Sequence, residues 1–159
     1  MKRGGRRVQV RVGPSRDDAH DIVYFRRHVE DDSGRSSPAR DFLDSCPGSI
    51  RAKLRNVLIA VAAAPPRKFA GGGYWEAMHG NMSGWFEVRR DGPQRRHYRL
   101  FCRIDLEAKG ADHPWLVVID GREKTFKTTL ADSEYKAIRA LGVEYFSRNP
   151  RSIYEPEPD

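Results

Sequence analysis

Cysteine is scarce in this chain: Cys46 and Cys102 are the only two in 159 residues. Two thiols cannot build a disulfide framework, and no CxxC or Cys/His spacing offers a zinc site, so the expectation is a reducing compartment with no structural metal and no cofactor. Long apolar runs are missing too. The longest, residues 57–64, is far short of the roughly 20 residues that span a bilayer, and the basic N-terminus has no apolar signal-peptide segment. These absences predict a cytoplasmic protein with no membrane partner. There is no internal repeat. Acidic residues are outnumbered, 22 Asp+Glu against 29 Lys+Arg, which leaves a net charge of +7 and favours a polyanionic partner such as RNA or DNA, or a strongly acidic protein.

The length suits one domain, able to bury roughly two-thirds of its unfolded surface. Residues 1–20 read as a basic extension, although Val8, Val10 and Val12 alternate well enough for a short strand. A strand is predicted over 21–27. Ser36-Ser37-Pro38 then signals a helix start, with serine as cap and proline in the first turn, for a helix over 38–45. A second helix opens at Pro47, carries Ile50, Leu54, Val57, Leu58 and Val61 on one side, and stops at Pro65-Pro66. Residues 67–83 read as a glycine-broken loop. Two strands around a turn follow at 84–104, then the doubly apolar strand Trp115-Leu116-Val117-Val118-Ile119, a cationic loop at 121–129 and a last helix over 130–147, with Tyr135, Ile138, Leu141 and Tyr145 on one stripe. Residues 151–159 form an acidic, proline-containing tail. The order predicts a small α+β domain over 21–150, with one antiparallel-rich sheet and helices on one side.

The hairpin carries the chemistry. Side chains alternate across a strand, so Trp85, Glu87 and Arg89 share a face, as do His97, Arg99, Phe101 and Arg103, while Phe86, Val88, Tyr98, Leu100, Cys102 and Ile104 lie opposite. Asp91-Gly92-Pro93-Gln94 has the composition of a tight connection, with glycine available for positive φ. A cationic strand face is either a solvated outer surface or a partner site. Helices covering the apolar face would turn Arg89, His97, Arg99 and Arg103 outward, and Arg122, Lys124 and Lys127 would close over their edge as a concave cationic surface.

These segments also resemble a known family. GWFEVR at 84–89 is similar to the Gly-aromatic-aromatic-Glu-aliphatic-Arg strand of RelE/HigB-type toxins, in the RelE/ParE superfamily near its phage Gp49-like branch. HYRLF at 97–101 resembles their Tyr-Arg strand, GREKTFKT at 121–128 their Lys-rich segment, and SPARDFLDSC at 37–46 their first helix. Glu87 stands where RelE proper has a lysine, and Glu123 where many relatives have one. The resemblance implies two N-terminal helices packed on one sheet face and a C-terminal helix. It also implies a metal-free endoribonuclease toxin that cleaves mRNA, often on the ribosome, and is silenced by a cognate antitoxin. ParE-type relatives inhibit gyrase instead, and a non-catalytic nucleic-acid-binding protein would need only the charge.

In the nuclease reading, the resemblance puts Arg99 on the scissile phosphate and Arg89 beside it, with Arg122, Lys124 and Lys127 in the later basic segment. RNA supplies its own 2′-OH nucleophile, and a planar guanidinium matches a phosphate with two parallel donors. His97 has the residue type for acid–base work, or is incidental. Lys124 is a candidate base if crowded by other cations, or merely attracts phosphate. Arg90 and Arg103 are further candidates for RNA contact, and Trp85 and Phe101 could stack on bases or meet a partner protein. Tyr98, by parity, belongs to the core. His20, His28, His79 and His113 lack ligand spacing.

Overall fold

The computed structural model describes residues 14–15, 17–64, 74–126 and 128–155. The expected strand at Val8–Val12, most of the basic extension, Lys127 and the last four residues of the tail therefore lie outside the described residues. The elements are β1 (Asp21–Tyr24), α1 (Pro38–Ser45), α2 (Gly48–Ala63), β2 (Trp75–Ala77), β3 (Trp85–Gly92), β4 (Arg96–Asp105), β5 (Trp115–Thr125) and α3 (Asp132–Phe146). They form a five-stranded sheet in the order β1-β5-β4-β3-β2, parallel between β1 and β5 and antiparallel elsewhere. The α+β class predicted from the sequence is observed. Among the described residues, no helix is long and apolar enough to cross a membrane.

Helices α1 and α2 cover one sheet face because their apolar spacing leaves no alternative. Leu43, Ile50, Leu54, Leu58 and Val61 are at most 1% exposed and pack with Val88, Leu100, Cys102, Leu116 and Val118. Ser37 does not cap α1 through its side chain; its hydroxyl donates to the Phe25 carbonyl at 2.6 Å, tying the helix start to the end of β1.

The second face departs from expectation. Helices were expected on one side only, yet α3 crosses the other face, where Ile138 and Tyr145 bury against Trp85, Phe101, Val117 and Ile119. Its approach is close: a Cβ on Gly142 would meet the Trp85 ring at 2.5 Å. The apolar stripe of α3 demanded a partner, and Trp85 and Phe101 on the supposedly open face supplied it.

Three further differences are local. A short edge strand, β2, occupies part of the predicted loop, with Trp75 stacked on Phe86 at 4.8 Å. In the hairpin, Gly92 stays extended (φ −130°), and the left-handed conformations fall on Gln94 and Arg95. Glycine is needed at 92 for space instead, since a Cβ there would lie 2.6 Å from the Tyr98 ring. The tail continues the fold through residue 155: Ile153 bridges Phe25, the Tyr154 amide donates to the Tyr24 carbonyl, and Arg151 pairs with buried Asp105 at 2.9 Å.

Candidate functional site

The predicted cationic loop after β5 is strand. β5 runs to Thr125 and pairs with β4 throughout, so Arg122 and Lys124 are set by sheet register rather than by a loop. A bulge decides which way they face. Phe101 pairs with Asp120 but Cys102 pairs with Val118, which leaves Ile119 as the extra residue. Simple alternation from Leu116 and Val118 would have sent Asp120 and Arg122 towards α1. The bulge reverses the parity, places both on the α3 side, and turns Gly121 towards α1, where the Phe42 ring fills the space of a side chain.

Cross-strand neighbours then build the site in rows. Arg89 pairs with Arg99 and Arg99 with Arg122, so three arginines lie abreast on β3, β4 and β5. One row towards the core, Glu87, Phe101 and Asp120 are abreast; one row outward are Asp91, His97 and Lys124. Like charges directly opposite each other repel across a sheet. The carboxylates relieve that repulsion: Arg99 Nε lies 3.3 Å from Glu87 Oε1, and Arg122 donates to Asp120 Oδ2 at 3.0 Å. The Arg99–Glu87 contact is an ion pair without hydrogen-bond alignment, so Arg99 Nε, although buried, keeps an unused donor.

Burial raises the carboxyls of both Glu87 and Asp120, and neighbouring arginines oppose the rise without cancelling it. Tyr135 of α3 stands at the inner margin, its ring edge-on to Phe101 at 6.3 Å. Burial raises its phenol, while the charge of Arg99 works against the shift. His97 stacks on Phe126 at 4.2 Å and meets the Asp91 carboxylate through Nδ1, which leaves Nε2 without a partner among the described residues.

Arg89, Arg99, Arg122, Lys124 and His97 are thus brought together, and the other candidates among the described residues are not. Arg90 points to the opposite face, its guanidinium 4.1 Å from the Tyr74 ring centroid. Arg103 lies at the far end of β4, over Trp85 and Phe146 at 5.4 and 4.9 Å. Trp85 and Phe101 are 3% and 0% exposed beneath α3, so neither presents a face for base stacking. Lys124 pairs with Glu134 at 3.2 Å instead of standing among uncompensated cations, which removes the condition its role as a base required. Three residues of the site were not anticipated. Glu87 shares the parity of the arginines, Asp120 is an acid at the end of an apolar strand, and Tyr135 read as core. Among the described residues, no group of three or more His, Cys, Asp or Glu is placed to hold a metal ion.

No family model and no curated protein matches the sequence. Among solved structures, the chain is similar to one from the RelBE2 toxin–antitoxin complex of Mycobacterium tuberculosis, at 18% identity and a TM-score of 0.42, over 70% of this chain and 98% of that one. A likeness of this degree leaves the functional reading to the residues themselves.

Proposed function

We propose that this chain is the toxin of a toxin–antitoxin pair, an endoribonuclease that cleaves mRNA in association with the ribosome and needs no divalent metal. One observation carries the reading: three arginines abreast, interleaved with two carboxylates whose burial favours holding a proton. Solvated charge has no use for desolvated acids beside it. A site for phosphoryl transfer can use them, because it must both neutralise phosphate and move protons.

In this reading the 2′-oxygen attacks the adjacent phosphorus, its proton passes to the Glu87 carboxylate, and the bond to the 5′-oxygen breaks to leave a 2′,3′-cyclic phosphate. The departing oxygen takes a proton from His97 Nε2 or Lys124. Arg99 and Arg89 hold the non-bridging oxygens as charge builds on them. Arg122, tied to Asp120, sets the third position of the row.

Purified protein incubated with RNA in EDTA should yield fragments with cyclic phosphate and 5′-hydroxyl ends, and ribosome-bound mRNA should be cut faster than free RNA. Activity lost in EDTA and restored by magnesium would defeat the metal-free mechanism. Inhibition of gyrase supercoiling without RNA cleavage would replace the reading with a ParE-like one. The antitoxin is expected from a neighbouring reading frame, and co-expression with it should abolish toxicity.

A further inference from the structure

A second cationic site lies at the sheet edge, away from the arginine row. The cleft between the loop after β1 and the tail has a volume of about 540 Å³, and its lining includes Arg26, His28, Arg35, Arg148 and Arg151 with one acid, Glu155. Two of these arginines are already neutralised. Arg148 pairs with Glu30 and Asp31 at 3.3 and 3.1 Å, and Arg151 with Asp105. Arg26 and Arg35 have no carboxylate partner among the described residues. Each instead gives its Nε–H to a backbone carbonyl, Arg26 to that of Arg35 at 3.1 Å and Arg35 to that of Arg27 at 3.3 Å. These bonds fix both guanidinium planes and leave their terminal nitrogens uncommitted.

The loop carrying them is built to stay in place. Asp32 accepts from the Gly34 and Ser36 amides at 3.2 and 2.8 Å, and Arg35 holds a left-handed φ of 47°, a conformation that a non-glycine residue keeps only when its surroundings enforce it. The Glu30 amide donates to His28 Nδ1 at 3.1 Å, which leaves Nε2 as the ring's donor.

We propose that this cleft binds a phosphate group, with Arg26 and Arg35 as its forked donors and His28 as a third. A carboxylate offers two oxygens, which one guanidinium satisfies. Two immobilised forks and an imidazole N–H match the greater charge and the larger number of oxygens of a phosphate. The volume has room for a nucleotide around it. The site is independent of the nuclease reading.

The test is calorimetric titration of the full-length protein with inorganic phosphate, AMP, adenosine and an acidic peptide, and of Arg99→Ala with an unphosphorylated oligoribonucleotide. AMP should bind wild type and Arg99→Ala alike, and adenosine should bind neither. Arg26→Gln with Arg35→Gly should weaken AMP at least tenfold; glycine relieves the left-handed backbone, so folding is kept. Inorganic phosphate binding as AMP does points to a free-anion site, whereas the oligoribonucleotide alone binding through these arginines points to strand phosphate. AMP, phosphate and oligoribonucleotide all failing to bind, binding unchanged in the double variant, or the acidic peptide binding in their place would overturn the proposal. In wild type, the Nε–H resonances of Arg26 and Arg35 should shift on titration; shifts confined to other arginines would also overturn it.

Discussion

Arg99 sits between two other arginines with 12% of its side chain exposed and an unused Nε donor, so its charge is concentrated where a phosphate would replace water. If it meets the phosphorus centre as negative charge develops, Arg99→Ala should lower the cleavage rate on the order of 100- to 1000-fold, or about 3–4 kcal/mol. Arg99→Lys keeps the charge without the fork and should fall between. Arg95→Ala, at the turn, should change little. Single-turnover cleavage of one RNA by the three variants checks this, and a folded, fully active Arg99→Ala would sink the site. Glu87 gives a stability readout of its own. Its carboxyl is raised on folding, so the folded state holds the proton more firmly, and stability is lost as pH rises through the carboxyl range. Glu87→Gln cannot ionise, so its melting temperature should rise relative to wild type between about pH 4 and pH 7 while its cleavage rate falls. A difference that stays flat with pH would show that the carboxylate is not desolvated. Alternation alone made Arg89, Arg99, His97 and Glu87 legible as one face. Arg122 and Asp120 were not legible in that way, because their direction depends on a bulge set by pairing with β4, and no spacing within β5 announces it.

At the scale of the element, α3 decides how much of the arginine face is left open. Its helical stripe was plain in the sequence, but which sheet face it would take was not. Trp85 and Phe101 read as stacking platforms or as contacts for a partner protein, and tertiary packing made them the bed of a helix instead. The packing of the tail was not legible for a related reason. Its proline and acid content masked Arg151, Ile153 and Tyr154, which hold the end of α3 against β1 and β4. Asp105 is the hub: Tyr145 donates to it at 2.7 Å, and Arg151 at 2.9 and 3.3 Å. Burial would raise its carboxyl, but these hydrogen bonds and the Glu107 amide outweigh burial and hold it below the usual range. A depressed carboxyl contributes stability that is present above the unfolded value, near pH 4, and lost as pH falls through the folded one. Asp105→Asn would leave Arg151, 5% exposed, as an uncompensated buried cation, and should destabilise by about 3–5 kcal/mol at neutral pH. It should also lack the corresponding loss of stability in acid. Denaturant melts of both proteins across pH measure each effect, and a neutral-pH loss below about 1 kcal/mol would mean that the tail does not anchor α3.

For the molecule as a whole, a net charge of +7 suggested a polyanionic partner, but charge summed over a chain does not say where contact occurs. The structure distributes it over surfaces that face different ways. Much of the arginine face is locally compensated, since Glu87, Asp120 and Glu134 sit against Arg99, Arg122 and Lys124. Arg89 is exposed on that face and forms no ion pair among the described residues, its charge reaching Glu87 only at longer range, whereas its neighbour Arg90 lies on the opposite face against Tyr74. The pair separates two kinds of binding, because losing either residue lowers the net charge equally. If RNA is drawn by overall charge, Arg89→Ala and Arg90→Ala should weaken it alike. If it lies along the arginine row, only Arg89→Ala removes a phosphate contact, and each contact with single-stranded RNA contributes about 0.7 to the slope of log affinity against log salt. Binding of a 2′-O-methyl oligonucleotide, which cannot be cleaved, measured over a range of salt concentrations, should therefore show a slope shallower by about 0.7 for Arg89→Ala and unchanged for Arg90→Ala. Equal slopes for the two variants would return the arginine row to ordinary surface.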